Sequence, residues 1–572
     1  MSSDQQPVLI LGAGVNGCAV ARELVLNGVP VWLVDRQDIA SGASSRSSRL
    51  IHGGLRYLEY AEFRLVRESL RERSRLHQLA PQFVRPLRLS IPVSKLSSGL
   101  MQSAKRFLFG QSKQTTSRGL WLVRTGLKMY DAFVSDAAFP KSRSNAVGAK
   151  SVPDVDPEKF RWLCSYTDGW MQFPERFVLS MVEDARRISQ RSGTEFRVFT
   201  YTETQFNGEE FQLVSEGRDS NEPVVCKPRM VVNATGAWGD LTLGKLGVES
   251  PRLFGGTKGS HFFTHHAELR RRLRDGGLYA EADDGRLVFV LPFNDGVMVG
   301  TTDERFEGPP EKAIADDEEL DYLIGMVNSL FDELNLTRDD IAMHYAGVRP
   351  LPYSDGATSA ISRDHSLKEQ WIGPYPLCTL VGGKLTTARA FGESVADRVM
   401  EELAVSRTAD TQDRPFPGGE LFPPDSNAEN FEIERLATAH DVEVSQVEAI
   451  WLLWGTRIEE ILQQIGPGPL DNLDGTTIPV AFAKWVCQHE WVTTLEDLVE
   501  RRLMLVFSKQ LTQRCLEQLQ TVLAECDANG GSADATQIEQ LRERLETHYG
   551  KKIVVTNSES VTASSSDKKL KI

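Results

Sequence analysis

The opening of the chain carries the pattern that most restricts its fold. Residues 7–11 read PVLIL, a buried-strand pattern, and the next six, Gly12-Ala13-Gly14-Val15-Asn16-Gly17, have the spacing GxGxxG. A segment with helical apolar spacing follows, and a second strand, VPVWLVD, ends at Asp35. Strand, glycine-rich turn, helix, strand and acidic residue in this order predict a Rossmann-type dinucleotide-binding unit.

The glycines and the acidic residue have separate tasks in such a unit. Gly12 permits the tight turn, Gly14 lets a pyrophosphate approach the backbone, and Gly17 lets the helix pack on the strand. The helix N-terminus offers N–H groups and partial positive charge to phosphates. Asp35 follows the second strand, where it can accept hydrogen bonds from a ribose. The alternative is a glycine-rich turn that binds no ligand.

Three later segments favour FAD over a nicotinamide cofactor. Residues 41–49 read SGASSRSSR, with small hydroxyl side chains that could wrap a pyrophosphate and a ribityl chain. Residues 230–236, MVVNATG, form an apolar strand that ends in Gly236, and residues 380–387, LVGGKLTT, place two glycines before a helix. Such returns of the chain describe a discontinuous FAD domain, although each segment alone could be an ordinary glycine turn.

Length and composition exclude several classes of protein. The 572 residues predict two or three domains. The hydrophobic fraction of 41% and the charged fraction of 25% are those of globular proteins, which excludes collagen, coiled coil and disorder for the chain as a whole. The formal net charge of −14 argues against nucleic-acid binding.

The cysteines and the N-terminus indicate a protein of a reducing compartment, and the sequence motifs predict no bound metal. The 7 cysteines are scattered and form no CxxC, so neither a disulfide framework nor a zinc site is expected. HExxH and EF-hand patterns are missing from the sequence, and we predict no metal. The N-terminus lacks a secretory signal pattern, and no run of 18 apolar residues predicts a membrane-spanning helix.

Five sequence blocks together resemble one enzyme family. Residues 44–59 read SSRSSRLIHGGLRYLE, and the other blocks are KGSH at 258–261, YAGVRPL at 345–351, AISRD at 360–364 and GGKLTT at 382–387. In order and spacing they resemble the FAD-dependent glycerol-3-phosphate dehydrogenases, within the D-amino-acid-oxidase-like FAD oxidoreductases. The resemblance runs from residue 7 to about residue 395, with a weaker helical match to about residue 510.

The resemblance implies an α/β fold with a discontinuous Rossmann-type FAD-binding domain, an antiparallel-sheet (α+β) substrate domain and a C-terminal helical domain. The expected boundaries are an FAD-dependent oxidoreductase region at 1–415, with FAD-binding segments at about 1–95, 160–245 and 345–415 and a substrate domain mainly at 246–344, a helical domain at 416–550, and a disordered tail at 551–572.

The resemblance also implies a reaction and its partners. The enzyme would oxidise sn-glycerol 3-phosphate to dihydroxyacetone phosphate with non-covalent FAD. Electrons would pass to a membrane quinone, or to oxygen in an oxidase branch. The protein would be cytoplasmic and peripheral at the inner face of the cell membrane, and both monomer and homodimer remain open.

The family's functional positions map onto residues of this chain. His261, Arg349 and Lys384 would be catalytic, and Arg56, Tyr57 and Arg363 would bind substrate. The residues implied to hold FAD are Gly12, Gly14, Gly17, Asp35, Ser44, Ser45, Ser47, Ser48, His52, Gly53, Gly236, Gly383, Lys384, Leu385 and Thr386.

One stretch departs from the family pattern. After Tyr166-Thr167-Asp168-Gly169-Trp170 the family continues with acidic residues and an Asp-Ala-Arg-Leu block, whereas residues 171–177 here read MQFPERF. Arg176 could keep the arginine, but the carboxylates and spacing differ. Two alternatives therefore stay open: an FAD enzyme for another small hydroxy acid or amine, and a flavin-bound sensor without turnover.

The chemistry requires groups for a phosphate and for a proton. Arg349 and Arg363 lie in loop-like contexts and suit a phosphate dianion, although an isolated arginine is otherwise a solvated surface charge. His261 could take the C2 hydroxyl proton, or be a half-buried strand histidine. His52 is a rival base that more plausibly shapes the turn beside the flavin, and Lys384 begins a helix that could stabilise a negatively charged flavin ring.

Local patterns predict several further elements. Residues 286–302, with Asn294-Asp295-Gly296 between two apolar runs, predict a hairpin, and residues 316–335 predict a helix. Residues 405–430 are rich in Pro, Asp and Gly and predict a linker. Thr493-Thr494-Leu495-Glu496 predicts a capping box.

A basic stretch predicts the contact with a membrane surface. Between Arg73 and Tyr130 there are eleven basic and no acidic residues, with apolar side chains interleaved over residues 95–130, among them Phe107, Phe109 and Trp121. In an acidic protein this combination indicates a membrane-surface element. The alternative is an ordinary basic loop with buried apolar residues.

Overall fold

A computed structural model describes residues 6–60, 62–96, 119–133, 136–215, 222–282, 286–355, 364–509, 511–526 and 535–554. Its strands are β1 (Val8–Leu11), β2 (Val31–Val34), β3 (Leu50–Ile51), β4 (Val84–Val93), β5 (Arg143–Ala146), β6 (Trp162–Met171), β7 (Phe196–Phe199), β8 (Thr202–Phe206), β9 (Phe211–Ser215), β10 (Val224–Cys226), β11 (Met230–Asn233), β12 (Thr257–Thr264), β13 (Gly276–Glu281), β14 (Leu287–Phe293), β15 (Gly296–Gly300), β16 (Glu304–Arg305), β17 (Met343–Arg349), β18 (Ser366–Ile372) and β19 (Tyr375–Val381).

The α-helices are α1 (Val15–Leu26), α2 (Phe63–Leu79), α3 (Leu120–Ala132), α4 (Pro174–Ser192), α5 (Gly239–Lys245), α6 (Ala267–Leu273), α7 (Asp317–Leu330), α8 (Ala388–Glu402), α9 (Ser426–His440), α10 (Val444–Trp454), α11 (Ile458–Ile465), α12 (Val480–His489), α13 (Gln513–Cys526) and α14 (Ala535–Tyr549). Shorter 3-10 turns lie at Leu55–Tyr60, Gly236–Trp238, Pro310–Lys312, Arg338–Asp340, Gly455–Arg457 and Leu505–Phe507, and a π-helical turn at Asp497–Arg502.

The first sheet is the one that the N-terminal pattern predicts. Its six strands lie in the order β18-β19-β11-β1-β2-β7. β19, β11, β1, β2 and β7 run parallel, and β18 pairs antiparallel with β19 at the edge. β1, β2 and β11 are buried at every position, because helices such as α1, α4 and α8 cover the sheet. Of the two returning strands, β11 therefore lies next to β1, and β19 lies next to β11.

A second sheet is mixed but mainly antiparallel. Its strands follow the order β16-β12-β15-β14-β13-β4-β6-β3, with β17 on β12 and β5 on β6. β14 and β15 form the hairpin predicted around Asn294-Asp295-Gly296. β4 and β6 bring residues 84–93 and 162–171 into this sheet, so it draws on more of the chain than the segment 246–344. A small third sheet contains β10, β9 and β8. The two large sheets and the helices confirm the predicted fold class.

The C-terminal part is helical from α9 to α14 and packs on the second sheet. Its apolar side chains share one core with β4, β6 and β12. The predicted capping box differs by one residue, because the Asp497 carboxylate accepts from the backbone N–H groups of Thr493 and Thr494 at 2.8 and 3.0 Å. The turn that follows is π-helical rather than α-helical.

The predicted linker at 405–430 has little regular structure before α9 begins at Ser426. It is nonetheless held firmly against the parallel sheet. Arg414 forms a bidentate ion pair with Asp184 of α4 at 2.7 Å, and Phe416 is fully buried against Phe177. Within the described residues, no helix is both long and apolar enough to cross a membrane.

Candidate functional site

Three glycine-rich segments meet at the carboxyl ends of β1, β11 and β19. A Cβ on Gly12 would lie 2.6 Å from the carbonyl oxygen of Ala234, so only glycine allows the first two segments to approach this closely. The Asn16 side-chain amide donates to the carbonyl of Gly382 at 3.2 Å, which joins the first segment to the third. Gly236 begins the 3-10 turn that follows β11. The predicted convergence is therefore present in the fold.

The acidic residue and the serine loop fix the glycine-rich turn. Asp35 accepts from the backbone N–H of Ala13 at 2.7 Å and from that of Gln37 at 2.8 Å. Burial raises the pKa of Asp35, and these two N–H groups oppose the rise. Ser44 Oγ accepts from the N–H of Val15 at 3.0 Å. The predicted residues Asp35 and Ser44 thus lie directly beside the turn.

The residues around this turn fit an elongated, phosphate-bearing cofactor such as FAD. Helix α1 begins after Gly14, which has no side chain to cap it, and its N-terminal dipole faces the glycine-rich turn. Asn16 Oδ1 and Thr387 Oγ1 are buried, and neither has a hydrogen-bond partner among the described residues. Buried polar atoms are normally satisfied, and a ligand at this edge of the sheet would supply the missing partners.

The serine-rich loop leads from the cofactor edge to the second sheet. Its Ser45 hydroxyl donates to the carbonyl of Gly42 at 3.0 Å, inside the loop itself. The Tyr345 hydroxyl donates to the carbonyl of Ser47 at 2.9 Å, and Ser48 Oγ lies 2.9 Å from His261 Nε2. Four of the predicted residues, three serines and His261, therefore belong to one hydrogen-bonded region.

His261 lies inside the protein, on β12. Its side chain is almost fully buried, and its ring stacks on that of Tyr345 with 4.9 Å between centroids. The pKa of His261 is lowered well below its usual value by burial, and then by the positive charges of Arg349 and Arg49. The imidazole is therefore neutral at pH 7, and its Nδ1 has no hydrogen-bond partner among the described residues.

Arg349 ends β17 and is held by the turn after β15. Its guanidinium contacts Asp303 Oδ1 at 2.9 Å, Thr301 Oγ1 at 2.9 Å and the Thr302 carbonyl at 3.1 Å. The side chain keeps 23% of its surface exposed. These contacts fix the direction of the guanidinium while part of it still faces solvent.

Lys384 lies beside a second group of predicted residues. Its Nζ is 3.9 Å from the ring centroid of Tyr57, and that ring lies 6.2 Å from the ring of His52. The N–H of His52 donates to Thr386 Oγ1 at 3.2 Å, so the 52–57 turn and the 382–387 turn are joined. The backbone N–H of Gly53 donates to the Tyr130 hydroxyl at 3.0 Å and to Asp168 Oδ1 at 3.4 Å. Gly383 approaches Asn16, and Leu385 packs on the parallel-sheet core.

Two of the predicted substrate residues lie outside what the structure describes. Arg363 belongs to residues 356–363, which are outside the described ranges, and the side chain of Arg56 is likewise not described. Residues 97–118 of the predicted membrane element and residues 555–572 of the predicted tail also lie outside them.

Buried ion pairs that sequence reasoning missed hold the serine loop in place. Arg49 forms a bidentate pair with Glu175 at 2.6 and 3.0 Å, and both side chains are buried. Asp38 pairs with Arg501 and Arg502 of the π-helical turn at 2.6 and 2.7 Å. The signal for the first pair was present in the departing MQFPERF stretch, which contains Glu175.

The same stretch connects helix α4 to the C-terminal helices. Arg176 forms a bidentate pair with Glu490 at 2.6 and 3.0 Å, and its guanidinium lies 3.7 Å from the ring centroid of Trp454. Neighbouring residues in MQFPERF thus serve two buried ion pairs. Both connect segments that are distant in sequence, which is why local patterns did not reveal them.

Comparison with known proteins agrees with this geometry. The family model described as "FAD dependent oxidoreductase" matches residues 7–398. The chain is 32% identical over 541 residues to the glycerol-3-phosphate dehydrogenase of Synechocystis sp., covering 86% of this chain and 88% of that protein. It is 30% identical over 505 residues to the D-erythritol 1-phosphate dehydrogenase of Brucella abortus, covering 86% and 93%.

A solved structure has the same fold. The glycerol-3-phosphate dehydrogenase from Bacillus halodurans, solved in complex with FAD, superposes with a TM-score of 0.67 at 20% identity, covering 96% of this chain and 95% of that one.

Proposed function

Because the chain belongs to the family of FAD-dependent oxidoreductases, with FAD as its cofactor, we propose that it oxidises sn-glycerol 3-phosphate to dihydroxyacetone phosphate and passes the electrons to a membrane quinone. The observation that carries the proposal is the 32% identity to the Synechocystis glycerol-3-phosphate dehydrogenase over most of both chains. The cations Arg349 and Lys384, which border the candidate site, give it chemical support.

The chain's own residues have to bind a phosphate and handle one proton. FAD, when bound, supplies the hydride-accepting chemistry. We assign phosphate binding to Arg349 and Arg363, because guanidinium groups form paired hydrogen bonds with phosphate oxygens. Asp303, Thr301 and Thr302 hold Arg349 in one orientation, which reduces the entropy lost when a phosphate binds.

We assign the C2 hydroxyl proton to His261. Its neutral imidazole can accept a proton, while burial and the two nearby arginines make the charged form unstable. A base of this kind holds the proton only briefly and returns it to solvent or to a neighbouring group. Ser48, 2.9 Å from Nε2, is the neighbour that orients the ring. Lys384, within the 382–387 turn, lies beside Tyr57 and is the second cation that we assign to the proposed pocket.

We also propose that helix α3 and the residues before it contact the membrane that contains the quinone. Trp121 and Met129 of α3 expose 51% and 41% of their surfaces. Arg124 lies over the Trp121 ring at 5.5 Å, and Lys128 is exposed on the same helix. Exposed aromatic and basic side chains on one amphipathic helix suit an anionic lipid surface at the inner face of the cell membrane.

A second candidate substrate is D-erythritol 1-phosphate. The Brucella relative that carries this name is 30% identical over 86% of this chain, close to the value for the Synechocystis relative. Both substrates are polyol monophosphates, so phosphate recognition by arginine serves either. A small hydroxy acid or amine is the third candidate, since the MQFPERF stretch differs from the pattern of the glycerol-3-phosphate enzymes.

A substrate panel separates these candidates. The purified yellow protein is assayed with a soluble dye as electron acceptor against glycerol 3-phosphate, D-erythritol 1-phosphate, glycerol, a 2-hydroxy acid and a D-amino acid. We expect the highest kcat/KM with glycerol 3-phosphate and almost none with glycerol. A higher kcat/KM with D-erythritol 1-phosphate would transfer the proposal to that substrate, and activity only with the acid or the amine would reject it.

A further inference from the structure

Two cysteines lie where two neighbouring helices of the C-terminal part pack against each other. Cys487 lies near the end of α12, and Cys526 is the last residue of α13. The Cys526 Sγ lies 3.9 Å from the carbonyl oxygen of Lys484, which is one helical turn before Cys487. An ion pair between Lys484 Nζ and Glu525 Oε2 at 2.8 Å holds the two helices together at this level.

The two thiols lie within reach of each other, since Cys526 Sγ borders the backbone of α12 about one helical turn before Cys487. Cys487 donates a hydrogen bond to Cys526, and this bond adds to burial in raising the pKa of Cys487 to about 12. The pKa of Cys526 is raised by burial as well, while Lys484 and the bond from Cys487 oppose the rise. Both side chains are partly exposed, unlike the other five cysteines, Cys18, Cys164, Cys226, Cys378 and Cys515, which are buried.

We propose that Cys487 and Cys526 are a peroxide-sensitive pair that forms a reversible disulfide between α12 and α13. The inference is independent of the proposed substrate, because neither residue belongs to the candidate site. Partial exposure lets a small oxidant enter, and the approach of Cys526 Sγ to the backbone of α12, together with the Lys484–Glu525 ion pair, lets the bond form with little movement of either helix.

The oxidation balances with hydrogen peroxide as the oxidant. The Cys526 thiolate attacks one oxygen of the peroxide, the O–O bond breaks, and a sulfenic acid and hydroxide are formed. Cys487 then loses its proton and attacks the sulfenic sulfur, so that the S–S bond forms and the second oxygen leaves as water. In sum, two thiols and one peroxide give one disulfide and two waters, and a small thiol reverses the change by exchange.

Cys526 is the residue that reacts first. Lys484 provides a positive charge next to its thiol, which favours the thiolate. Cys487 forms its thiolate less readily, because burial and its hydrogen bond to Cys526 stabilise the protonated thiol. Cys487 therefore acts as the resolving residue.

Intact mass analysis of the holoenzyme tests the proposal. The protein is treated with hydrogen peroxide at pH 8, unfolded in an alkylating reagent, and digested. We expect five of the 7 cysteines to be alkylated, two fewer than in the reduced protein, and a single cross-linked peptide pair containing Cys487 and Cys526. Activity with a soluble acceptor is expected to stay unchanged, and a reducing thiol should restore the original mass.

Serine variants make the assignment specific. Cys487→Ser should leave a sulfenic acid on Cys526 that a dimedone-type reagent traps, and Cys526→Ser should abolish the reaction. Cys515→Ser, in the same helix α13 but buried, is the matched control and should behave as the wild type. Unchanged mass of the treated wild type, or a cross-link that involves any other cysteine, would overturn the proposal without touching the proposed substrate.

Discussion

The neutral state of His261 leads to a testable pH dependence. Its folded-state pKa lies well below the ordinary value, because burial, Arg349 and Arg49 all disfavour the imidazolium. The imidazole therefore stays neutral as the pH falls through about 6.5, the ordinary value for histidine. If His261 is the base, we expect kcat/KM for glycerol 3-phosphate to hold at pH 6.5 and to fall only in more acidic buffer.

The variant His261→Gln should lower kcat by at least about 100-fold, the contribution typical of a general base, and remove the acidic limb of the profile. His265→Gln changes a partly exposed histidine just after the end of β12; it serves as the control and should leave the profile unchanged. A limb at or above pH 6.5 that disappears in His261→Gln would contradict the assignment.

Arg349 is expected to act through the substrate phosphate. Arg349→Met removes a charge-assisted contact of roughly 2–3 kcal/mol, so KM for glycerol 3-phosphate should rise by about 30–150-fold. With glycerol, a poor substrate that has no phosphate, the steady-state kinetics of Arg349→Met should be almost the same as those of the wild type. The control is Arg305→Met, an exposed arginine of β16. Equal losses with both substrates would mean that Arg349 serves folding through Asp303 instead.

At the level of elements, local patterns predicted those parts whose partners are near in sequence. β1, α1 and β2 form one contiguous unit, and β14 pairs with β15 through a short turn, so their spacing alone identified them. The returning strands β11 and β19 were found because glycine follows each of them closely in the sequence.

Other elements could not be read from the sequence because their partners are distant. β4 and β6 pair over their whole length, yet more than sixty residues separate their starting points, and nothing local indicates that they join the second sheet. The pair between Asp38 and the turn Asp497–Arg502 joins the two ends of the chain. Among the site residues, the glycines and Asp35 could be predicted from the motif. The ion pair between Arg49 and Glu175 could be found only from the structure.

Helix α14 is expected to support FAD binding through the serine loop. The Arg46 guanidinium lies 4.3 Å from the Tyr549 ring centroid and 3.6 Å from Glu500, and the Tyr549 hydroxyl donates to Glu500 at 2.6 Å. Tyr549→Ala removes a buried cation–π contact of about 1–2 kcal/mol, so the Kd for FAD should rise roughly 5- to 30-fold.

Titration of the apoprotein with FAD, followed by flavin fluorescence, measures this Kd. Tyr549→Phe keeps the ring, so its Kd for FAD should lie between those of the wild type and Tyr549→Ala. Arg542→Ala, on the same helix but paired with Gln513, is the matched control and should bind FAD as the wild type does. If Tyr549→Ala binds FAD normally, helix α14 does not support the loop.

For the whole molecule, attachment to anionic vesicles should depend on helix α3. The double variant Trp121→Ser, Met129→Ser removes its two exposed apolar anchors, while each nearby Lys or Arg still contributes on the order of 1 kcal/mol. We expect the variant to float with vesicles at low salt only, whereas the wild type also floats, more weakly, at high salt.

The matched control for the vesicle experiment is Trp371→Ser on β18, a tryptophan that exposes 63% of its surface outside the proposed membrane face. It should float as the wild type does. Loss of flotation in the Trp371 variant, or a wild type that does not float at low salt, would contradict the proposed membrane face.

For the whole molecule, we propose that His261 and Arg349 form a substrate side next to the cofactor edge, which is built from three glycine-rich segments. Anaerobic addition of glycerol 3-phosphate to the purified protein, with the visible flavin absorption as the readout, tests this claim most directly. We predict rapid and complete bleaching with glycerol 3-phosphate, only very slow bleaching with glycerol, and release of free FAD when the protein is denatured. A protein that contains no FAD, or a flavin that glycerol 3-phosphate leaves oxidised while another substrate bleaches it, would contradict the account.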